Sequence, residues 1–504
     1  MKELQTPFDN IDHFVVLMEE NRSFDNLLGY LYKADKVPAD QHFEGVAGKN
    51  LSNPISPQAD PAQWEHVDVR PGYTMDNPNP DPGEEYPHVN TQLFGTVFPA
   101  ENARLEAPRM KPPYNLPDKL PSEPSMNGFV LDYINNCKVL TGYEPRYAEY
   151  RIIMDCFPPD AVPVMSTLAW GFAVCDHWHC EVPSQTFPNR LFFHAAQSCG
   201  LVINEPYSNW VRKGTNNAQT IFERLESKGL SWKVYYDPQE HLSLTAILHF
   251  SRLWRHIRTN FCYMSQFFED ARTGNLPHYA FIEPRLFVNN NDMHPPTKVF
   301  GRVGHSSVLA GEALIATIYD AIRLSDSPTG SNYLNTALLI TFDEHGGCYD
   351  HVPPPAARPP QPAGRAGQMD FGFDRLGVRV PAIIVSAYTA AGTVINTPLQ
   401  HTSFIKTLEE KWGLGHLTER DRSANDLREA FNLSQPRTRD SWPILKPRLV
   451  PWADTTNDDP LNPLQRHIVE LVRTAIGGAD VAASEVRTVG EAASFLRRKA
   501  EALR

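Results

Sequence analysis

Two acidic clusters lie far apart in the sequence, and each directly follows a short apolar run. "EENRSFD" follows "HFVVLM" and contains Glu20 and Asn21, whereas "FDEHGGCYDHV" follows "ALLIT" and contains Asp343 and Glu344. Buried carboxylates are costly unless they are paired, hydrogen-bonded or bound to a cation. Oxygen ligands with an occasional amide suit a hard divalent ion, and the Gly-Gly pair at 346–347 allows a tight turn beside it. The two clusters therefore predict a cation site.

A third segment, "PSQTFPNRL" at residues 183–191, contains more polar functional groups than a turn requires. Ser184 and Thr186 supply two hydroxyls between prolines, and Asn189 and Arg190 follow immediately. Proline and serine suffice to build a turn, so the close spacing of a hydroxyl, an amide and a guanidinium needs another explanation. We interpret this segment as part of a chemical site.

Other polar groups allow two interpretations each. "NNNDMHPP" offers Asp292 and His294 either as site residues or as loop structure, and His401 either caps the helix that follows or contributes to a site. "CDHWHC" at residues 175–180 suggests zinc, but ligands crowded on one extended strand fit zinc geometry poorly. We therefore interpret that segment as core or loop support.

The elements that must position these groups alternate along the chain. Short apolar or β-branched runs at 13–18, 172–178, 232–237, 279–284, 337–344 and 381–388 predict buried strands. Apolar residues recurring from Val308 to Ile322 predict one helix, and a second is predicted near 402–413. This alternation predicts a three-layer α/β fold with a mainly parallel central sheet, whose ligands bind at the carboxyl ends of the strands.

Three further regions flank this predicted sheet. Residues 34–125 are rich in proline and asparagine, which indicates an insertion or long loop, and aromatic residues within 200–275 suggest a cap beside the site. These aromatics either hold a cation through cation–π contacts or belong to the core. We predict a catalytic domain over 1–430 and a helical extension over 431–504, which packs on the surface or contacts another subunit of a homo-oligomer.

Composition excludes some classes of protein. The 504 residues are 41% hydrophobic, which is enough for a substantial core. A net charge of −12 argues against a dedicated nucleic-acid binder. No apolar run reaches the roughly 20 residues of a transmembrane helix, and we predict no signal peptide in this chain. Seven cysteines without a regular framework are expected to be free thiols and leave the compartment, cytoplasmic or exported, open.

The motifs together resemble a known family. "FVVLMEENRSFDNLLGY", "VPSQTFPNRLFFHAA", "NNDMHPP", "TFDEHGGCYDHVPPP" and "HTSFIKTLEEKWGL" are similar, in order from about residue 11 to 415, to the bacterial phospholipase C and acid phosphatase family, which includes plant non-specific phospholipases C. This family belongs to the alkaline-phosphatase-like superfamily. The resemblance implies an alkaline-phosphatase-like fold and a metal-dependent hydrolase of phosphate esters.

The resemblance also implies a covalent mechanism. By position, Thr186 is the nucleophile that carries the phosphoryl group and also contacts the metal, although related acid phosphatases use serine and Ser184 remains an alternative. The implied ligands of one divalent ion, which is Ca²⁺, Mg²⁺, Mn²⁺ or Zn²⁺, are Glu20, Asn21, Asp343 and Glu344. Metal coordination lowers the cost of forming the attacking alkoxide and polarises a phosphoryl oxygen.

Further roles follow from the same resemblance. His294, with Asp292 as its orienting partner, is expected to protonate the leaving oxygen. Asn189 and Arg190 are expected to steady the loop or the phosphate oxygens. The histidines expected to contact phosphate or transfer protons are His88, His345, His351 and His401.

The expected substrate is a phosphoester, either a phospholipid or a small phosphate ester. One alternative within the superfamily is a sulfatase or phosphonate hydrolase, but sulfatases mature a cysteine or serine to formylglycine, which Thr186 cannot become. The other alternative is a non-catalytic binding protein with a residual site, against which the intact "EEN", "TFPNR" and "DEHGG" segments argue.

Overall fold

The computed structural model describes residues 6–56, 65–211, 215–296, 308–361, 366–450, 458–476 and 486–503, together with the backbone of two short strands at 298–299 and 302–303. Within these residues the central sheet has eight strands. In chain order they are β1 (His13–Glu19), β2 (Ala173–Cys175), β3 (Trp232–Tyr236), β4 (Phe261–Tyr263), β5 (Tyr279–Ile282), β6 (Thr336–Phe342), β7 (Ala382–Val385) and β8 (Thr393–Ile395).

The sheet is mainly parallel. Its spatial order is β8-β2-β7-β6-β1-β5-β3-β4, and in the described chain only β7 runs antiparallel to its neighbours. All six strands expected from the apolar runs are present, so the prediction of a mixed α/β fold with a large, mainly parallel central sheet is confirmed. Strand β6 is buried at every position, as a central parallel strand must be when both faces are covered.

Helices cover the sheet and connect its strands. In chain order, the helices of the described residues are α1 (Phe24–Leu28), α2 (Tyr86–Phe94), α3 (Phe129–Thr141), α4 (Tyr147–Tyr150), α5 (Pro163–Gly171), α6 (Thr186–Ala195), α7 (Ser208–Val211), α8 (Ile221–Ser227), α9 (Leu244–Leu248), α10 (Phe250–Leu253), α11 (Met264–Thr273), α12 (Val308–Arg323), α13 (His401–Trp412), α14 (Glu419–Ser423), α15 (Pro463–Ile476) and α16 (Val489–Leu503). The two helices predicted from apolar periodicity are α12 and α13. Helix α13 packs against α6, and the rings of Phe193 and Phe404 stack between them.

The register of β1 and β6 sets the position of the site. The two strands are adjacent and parallel, and Glu19 pairs with Phe342 at their carboxyl ends. The next residues of the two strands, Glu20 and Asp343, therefore leave the same edge of the sheet side by side. This is the edge at which ligands of parallel α/β sheets bind.

The flanking regions differ in part from the prediction. The segment 34–125 is mostly irregular, but it contains α2, which packs against α3. Residues 232–263 contribute β3 and β4 to the sheet edge, so this part of the predicted cap belongs to the sheet. Within the predicted cap region 200–275, Trp210 and Tyr235 are buried core residues, which removes them from a cation-binding surface.

The C-terminal helices α15 and α16 pack against α6 of the same chain. Leu464 and Ile468, on the apolar face of α15, pack in one buried cluster with Phe187 and Leu191 of α6. All seven cysteines are free, as expected. Among the described residues, no helix combines the length and apolar character needed to cross a membrane.

Candidate active site

Backbone hydrogen bonds join the loops that follow the central strands. The amide of Asp343 donates to the carbonyl of Glu19 over 3.1 Å, and the amide of Glu20 donates to the carbonyl of Asp292 over 2.7 Å. The loops after β1, β5 and β6 are thereby held together at one edge of the sheet. Three motifs that are distant in sequence meet at this point.

Thr186 is the first residue of α6 and faces this edge. Gln185 is the N-cap of the helix, and the hydroxyl of Thr186 donates to Oε2 of Glu20 over 3.3 Å. Both side chains are fully buried. The structure therefore brings the predicted nucleophile into contact with a predicted metal ligand.

Arg190 lies one turn further along α6 and pairs with the same carboxylate. Its Nε donates to Oε1 of Glu20 over 2.9 Å, and Nε lies 3.9 Å from Oδ2 of Asp343. Burial opposes the charge of Arg190, but the two carboxylates raise the pKa of its guanidinium above the ordinary value. Among the residues that the structure describes, its Nη1 has no hydrogen-bond partner, so this donor is available in the site. A guanidinium with a free N–H can bind a phosphate oxygen.

The predicted ligand residues leave oxygen atoms without hydrogen-bond partners. These atoms are Oδ1 of Asn21, Oδ2 of Asp343 and Oε1 of Glu344, and all three side chains are fully buried. Their other oxygens are occupied: Oδ1 of Asp343 accepts from the amide of Asn21 over 3.2 Å, and Oε2 of Glu344 accepts from the amide of Gly346 over 2.6 Å. Unpaired buried oxygens are costly, and a hard divalent ion satisfies such a set.

Local backbone geometry holds these ligands close together. Asn21 adopts a left-handed conformation with φ of 57°, which asparagine tolerates better than most residues. Gly346 also has positive φ, and a Cβ at this position would lie 2.2 Å from the carbonyl oxygen of Asn21. The predicted tight glycine turn is therefore required by the close approach of the two loops.

The buried carboxylates of the site outnumber the positively charged groups beside them, and this is visible in the pKa values of the carboxylates. Burial, together with the neighbouring charge of Asp343, raises the pKa of Glu20 well above its ordinary value despite the opposing effect of Arg190. Burial likewise raises the pKa of Glu344, and the charge of Glu84 adds to the effect. A bound cation would reverse both shifts, because an opposite charge nearby favours the ionised carboxylate.

Asn189 fixes the loop that presents Thr186. Its Oδ1 accepts from the amides of Glu181 and Val182, both over 2.9 Å, and its Nδ2 donates to the carbonyls of Val182, Ser184 and Gln185. These contacts favour loop support over phosphate binding for Asn189. The hydroxyl of Ser184 is buried and has no hydrogen-bond partner, so it lacks the carboxylate contact that Thr186 makes.

His401 supports the Asp343 loop. Its Nε2 lies 2.6 Å from the carbonyl oxygen of Asp343, and its Nδ1 accepts from Nε1 of Trp178 over 3.1 Å. A carbonyl only accepts, so Nε2 carries the proton. Both ring nitrogens are thus occupied, and His401 is placed to position the loop.

His345 begins a chain of buried hydrogen bonds. Its Nε2 lies 2.8 Å from Oε1 of Gln92, and Nε2 of Gln92 donates to Oδ2 of Asp132 over 2.9 Å. Oδ1 of Asp132 lies 2.8 Å from Nδ1 of His88. Burial alone would lower the pKa of His88, but the charge of Asp132 outweighs it and raises the pKa to about 9. The chain connects two of the predicted histidines.

His351 belongs to a separate buried network. Its Nδ1 lies 2.6 Å from Oδ2 of Asp25, and its Nε2 lies 2.8 Å from Oε1 of Glu44. Arg379 joins this network and pairs with both Asp25 and Asp350 over 2.9 Å. These contacts fasten the loops after β1 and β6 to each other, and phosphate contact by His351 stays a prediction.

His294 and Asp292 lie on the loop after β5. Oδ1 of Asp292 accepts from the backbone amide of His294 over 3.2 Å, while Nδ1 of the imidazole lies 2.8 Å from the carbonyl oxygen of Pro295. Asp292 therefore positions the backbone of His294 and not its ring. Burial lowers the pKa of His294 to about 4. Its role as a proton donor stays a prediction.

Two acidic residues near the site were missed by sequence reasoning. Asp81 and Glu84 are buried, and Oε2 of Glu84 accepts from Nδ2 of Asn21. This contact directs the free Oδ1 of Asn21 away from Glu84. The segment "NPDPGEEYPH" offered a signal, because its acidic residues and His88 are closely spaced, but its weak periodicity indicated only an insertion or long loop.

Sequence comparison identifies first the class of protein, a hydrolase that acts on phosphoric esters, and then the family. Residues 11–415 match the Phosphoesterase family, so the chain belongs to that family.

Known relatives cover most of the chain. It is 33% identical to non-specific phospholipase C3 of Arabidopsis thaliana, with 92% of this chain and 82% of the relative aligned. It is 26% identical to phospholipase C B of Mycobacterium tuberculosis, with 87% of this chain and 81% of the relative aligned. A solved protein of the alkaline phosphatase superfamily from Vibrio parahaemolyticus aligns at 11% identity over 53% of this chain and 65% of its own, with a TM-score of 0.31.

Proposed function

We propose that the protein is a metal-dependent phosphodiesterase of the phospholipase C type, which acts through a phosphothreonine intermediate at Thr186. The observation that carries the proposal is the contact between the hydroxyl of Thr186 and Oε2 of Glu20, beside unpaired oxygens of Asn21, Asp343 and Glu344. The names of the relatives support a phospholipid substrate.

The unpaired oxygens of Asn21, Asp343 and Glu344, which lie beside Glu20, suit one divalent ion. Glu20, Asn21, Asp343, Glu344 and the oxygen of Thr186 would hold it. When bound, such an ion lowers the cost of deprotonating a hydroxyl and polarises a phosphoryl oxygen.

The residues of this chain then carry out a two-step displacement. Oγ1 of Thr186 loses its proton and attacks phosphorus, and the bond to the lipid alcohol breaks as the departing oxygen takes up a proton. A water molecule then cleaves the bond between Thr186 and phosphorus, which releases the phosphorylated head group and restores the hydroxyl. Glu20 orients the hydroxyl through its hydrogen bond, and the free Nη1 of Arg190 is available to a phosphate oxygen. Asn189 and His401 hold the two loops in place.

A substrate panel tests the proposal. Purified protein is assayed on phosphatidylcholine, p-nitrophenyl phosphocholine and p-nitrophenyl phosphate, with and without prior chelation. We expect release of diacylglycerol from phosphatidylcholine that chelation abolishes and divalent ions restore. Hydrolysis of p-nitrophenyl phosphate alone would replace the phospholipase assignment with an acid-phosphatase one, and chelator-resistant turnover would contradict metal dependence.

A further inference from the structure

Three large apolar side chains are exposed close together in sequence, where α3 ends and α4 begins. Leu140 lies in the last turn of α3, Tyr143 follows the capping Gly142, and Tyr147 is the first residue of α4. Their exposed fractions are 47%, 48% and 54%. Grouped exposed apolar residues indicate a contact surface, whereas single ones do not, and we call these three residues the apolar tip.

Local contacts give the apolar tip a defined shape. The hydroxyl of Tyr143 donates to Oε1 of Glu149 over 3.4 Å, and Oε2 of Glu149 accepts from the amide of Arg146 over 2.9 Å. The ring of Tyr147 meets that of Tyr150 edge to face, with 5.6 Å between the ring centroids. Helix α3 also packs against α4, so the three residues of the apolar tip belong to one compact unit.

Helix α3 places the apolar tip near the loops that form the phosphoester site. Nδ2 of Asn136, on α3, donates to the carbonyl of Asp81 over 2.9 Å. Oδ2 of Asp81 lies 3.7 Å from Nε2 of His294, on the loop after β5. Leu140 follows Asn136 by four residues, which is about one helical turn, or about 6 Å along the helix axis. A surface that contacts the apolar tip is therefore brought close to the site.

The charged side chains around the apolar tip balance one another. Nζ of Lys138 lies 2.8 Å from Oε1 of Glu144, and Nε of Arg146 lies 3.3 Å from Oε2 of Glu149. These two bases and two acids leave residues 138–149 without net charge, although the whole chain has a net charge of −12. Anionic membranes attract basic segments, and this region has no excess of basic residues. Tyrosine and leucine in neutral surroundings instead suit the headgroup region of a zwitterionic phospholipid layer.

We propose that the apolar tip, formed by Leu140, Tyr143 and Tyr147, is the surface through which the protein docks on a zwitterionic phospholipid layer. This inference rests on the proposed function, because a phospholipid substrate is presented in such a layer. The aliphatic side chain and the two rings would enter the layer at headgroup level, where an apolar body and a polar hydroxyl are both satisfied. Docking in this way would hold the site close to the phosphodiester groups that it is proposed to cleave.

Vesicle binding tests the inference without an activity assay. Full-length protein is mixed in chelator, which prevents lipid hydrolysis under the proposed function, with phosphatidylcholine vesicles, and the bound fraction is measured by flotation. We expect Leu140→Ser/Tyr147→Ser to need about 10-fold more lipid than wild type for half-maximal binding, because two apolar contacts are lost. Single variants keep the test informative if this double variant fails to fold, which thermal melting checks. Tyr147→Glu should weaken binding, and Tyr147→Trp should preserve it, because tryptophan also favours the membrane interface.

Leu324 supplies the matched control. It is 55% exposed and directly follows α12, in the connection that enters β6 at its amino end, away from the edge that holds the site. Leu324→Ser should therefore leave vesicle binding unchanged. If Leu324→Ser weakens binding as much as the substitutions in the apolar tip, or if wild type and the double variant bind equally or not at all, the inference is overturned. Tighter binding of wild type to phosphatidylglycerol vesicles would also overturn it, because a net charge of zero at the tip gives no preference for anionic lipid.

Two substrates separate this inference from the proposed function. Leu140→Ser/Tyr147→Ser should hydrolyse soluble p-nitrophenyl phosphocholine like wild type, but should need about 10-fold more vesicle lipid for half-maximal release of diacylglycerol, at an unchanged maximal rate. Release of diacylglycerol at the same lipid concentration in both proteins would overturn docking through the apolar tip and leave the proposed function intact. Vesicle binding that depends on the apolar tip, without any hydrolysis of phosphatidylcholine when metal is present, would support docking and contradict the proposed function.

Discussion

The hydroxyl of Thr186 lies 3.3 Å from Oε2 of Glu20, although 166 positions separate the two residues in sequence. Thr186 is the first residue of a helix and Glu20 directly follows the first strand of the sheet, so the contact depends on the whole α/β fold. We expect Thr186→Ala to lower kcat by about 10⁴-fold or more without unfolding the protein, because the covalent path is lost. Thr186→Ser should keep measurable turnover. Initial rates and circular dichroism of both variants check this.

Ser184 provides the matched control for the nucleophile. Its hydroxyl has no hydrogen-bond partner, so Ser184→Ala should change neither the rate nor the stability by a large factor. If Ser184→Ala abolishes turnover while Thr186→Ala does not, the nucleophile has been misassigned.

His401 should act through the Asp343 loop. Removing its hydrogen bond to the carbonyl of Asp343 leaves a ligand residue less well oriented, so His401→Ala should weaken divalent-metal affinity about 10- to 100-fold. His401→Gln retains a donor of similar reach and should recover part of the affinity. Metal titration of the three proteins measures the effect. If the divalent-metal affinity of His401→Ala is unchanged but inorganic phosphate inhibits it much more weakly than wild type, His401 contributes to substrate binding instead.

Replacing Asn189 should lower the free energy of unfolding by more than the loss of a single hydrogen bond would. Its amide is buried and makes five hydrogen bonds to the loop before α6. Asn189→Ala leaves these backbone groups unpaired, so we expect the free energy of unfolding to fall by about 3 kcal/mol. Urea denaturation beside Ser184→Ala gives the comparison. A loss below about 0.5 kcal/mol would show that water replaces the amide.

The His88–Asp132 pair should make stability depend on pH. The folded pKa of His88 is raised to about 9 from 6.5, so its contribution is fully present below pH 6.5 and is lost as pH rises through 9. Such a shift corresponds to about 3 kcal/mol. His88→Gln should therefore be destabilised relative to wild type at pH 6, and the difference should shrink by pH 10. A difference that stays constant from pH 6 to pH 10 would contradict the raised pKa.

Two possible roles of His294 predict different effects of His294→Ala on alkyl and p-nitrophenyl phosphoesters. As a proton donor it matters most for poor leaving groups, so His294→Ala would impair alkyl phosphoesters far more than p-nitrophenyl esters. As a residue that positions the loop after β5 it should affect both substrates alike. We expect the second result, because Nε2 carries no proton when Nδ1 donates to Pro295. Steady-state rates on both ester types decide between the roles.

The sequence predicted much of this arrangement because strand and helix signals are local. The strands before Glu20 and Asp343 are continuous apolar runs, and acidic residues directly after them can be recognised without knowing the fold. The contributions of Glu84 and Gln92 could not be predicted, because their contacts with Asn21 and His345 form only when an irregular segment folds back on the sheet. The partners of His351 and His401 likewise come from distant segments. The sequence predicted a helical extension over 431–504 that packs on the surface or contacts another subunit, but not that α6 would be the partner of α15.

Trapping the covalent intermediate tests the central claim most directly. The enzyme is mixed with substrate, quenched in acid within the first turnovers, digested and analysed by mass spectrometry. We predict a phosphoryl or phosphodiester adduct on the peptide that contains residues 183–191, localised to Thr186 and absent from Thr186→Ala. An adduct on Ser184, or burst-free turnover with no adduct on this peptide, would contradict the proposed mechanism.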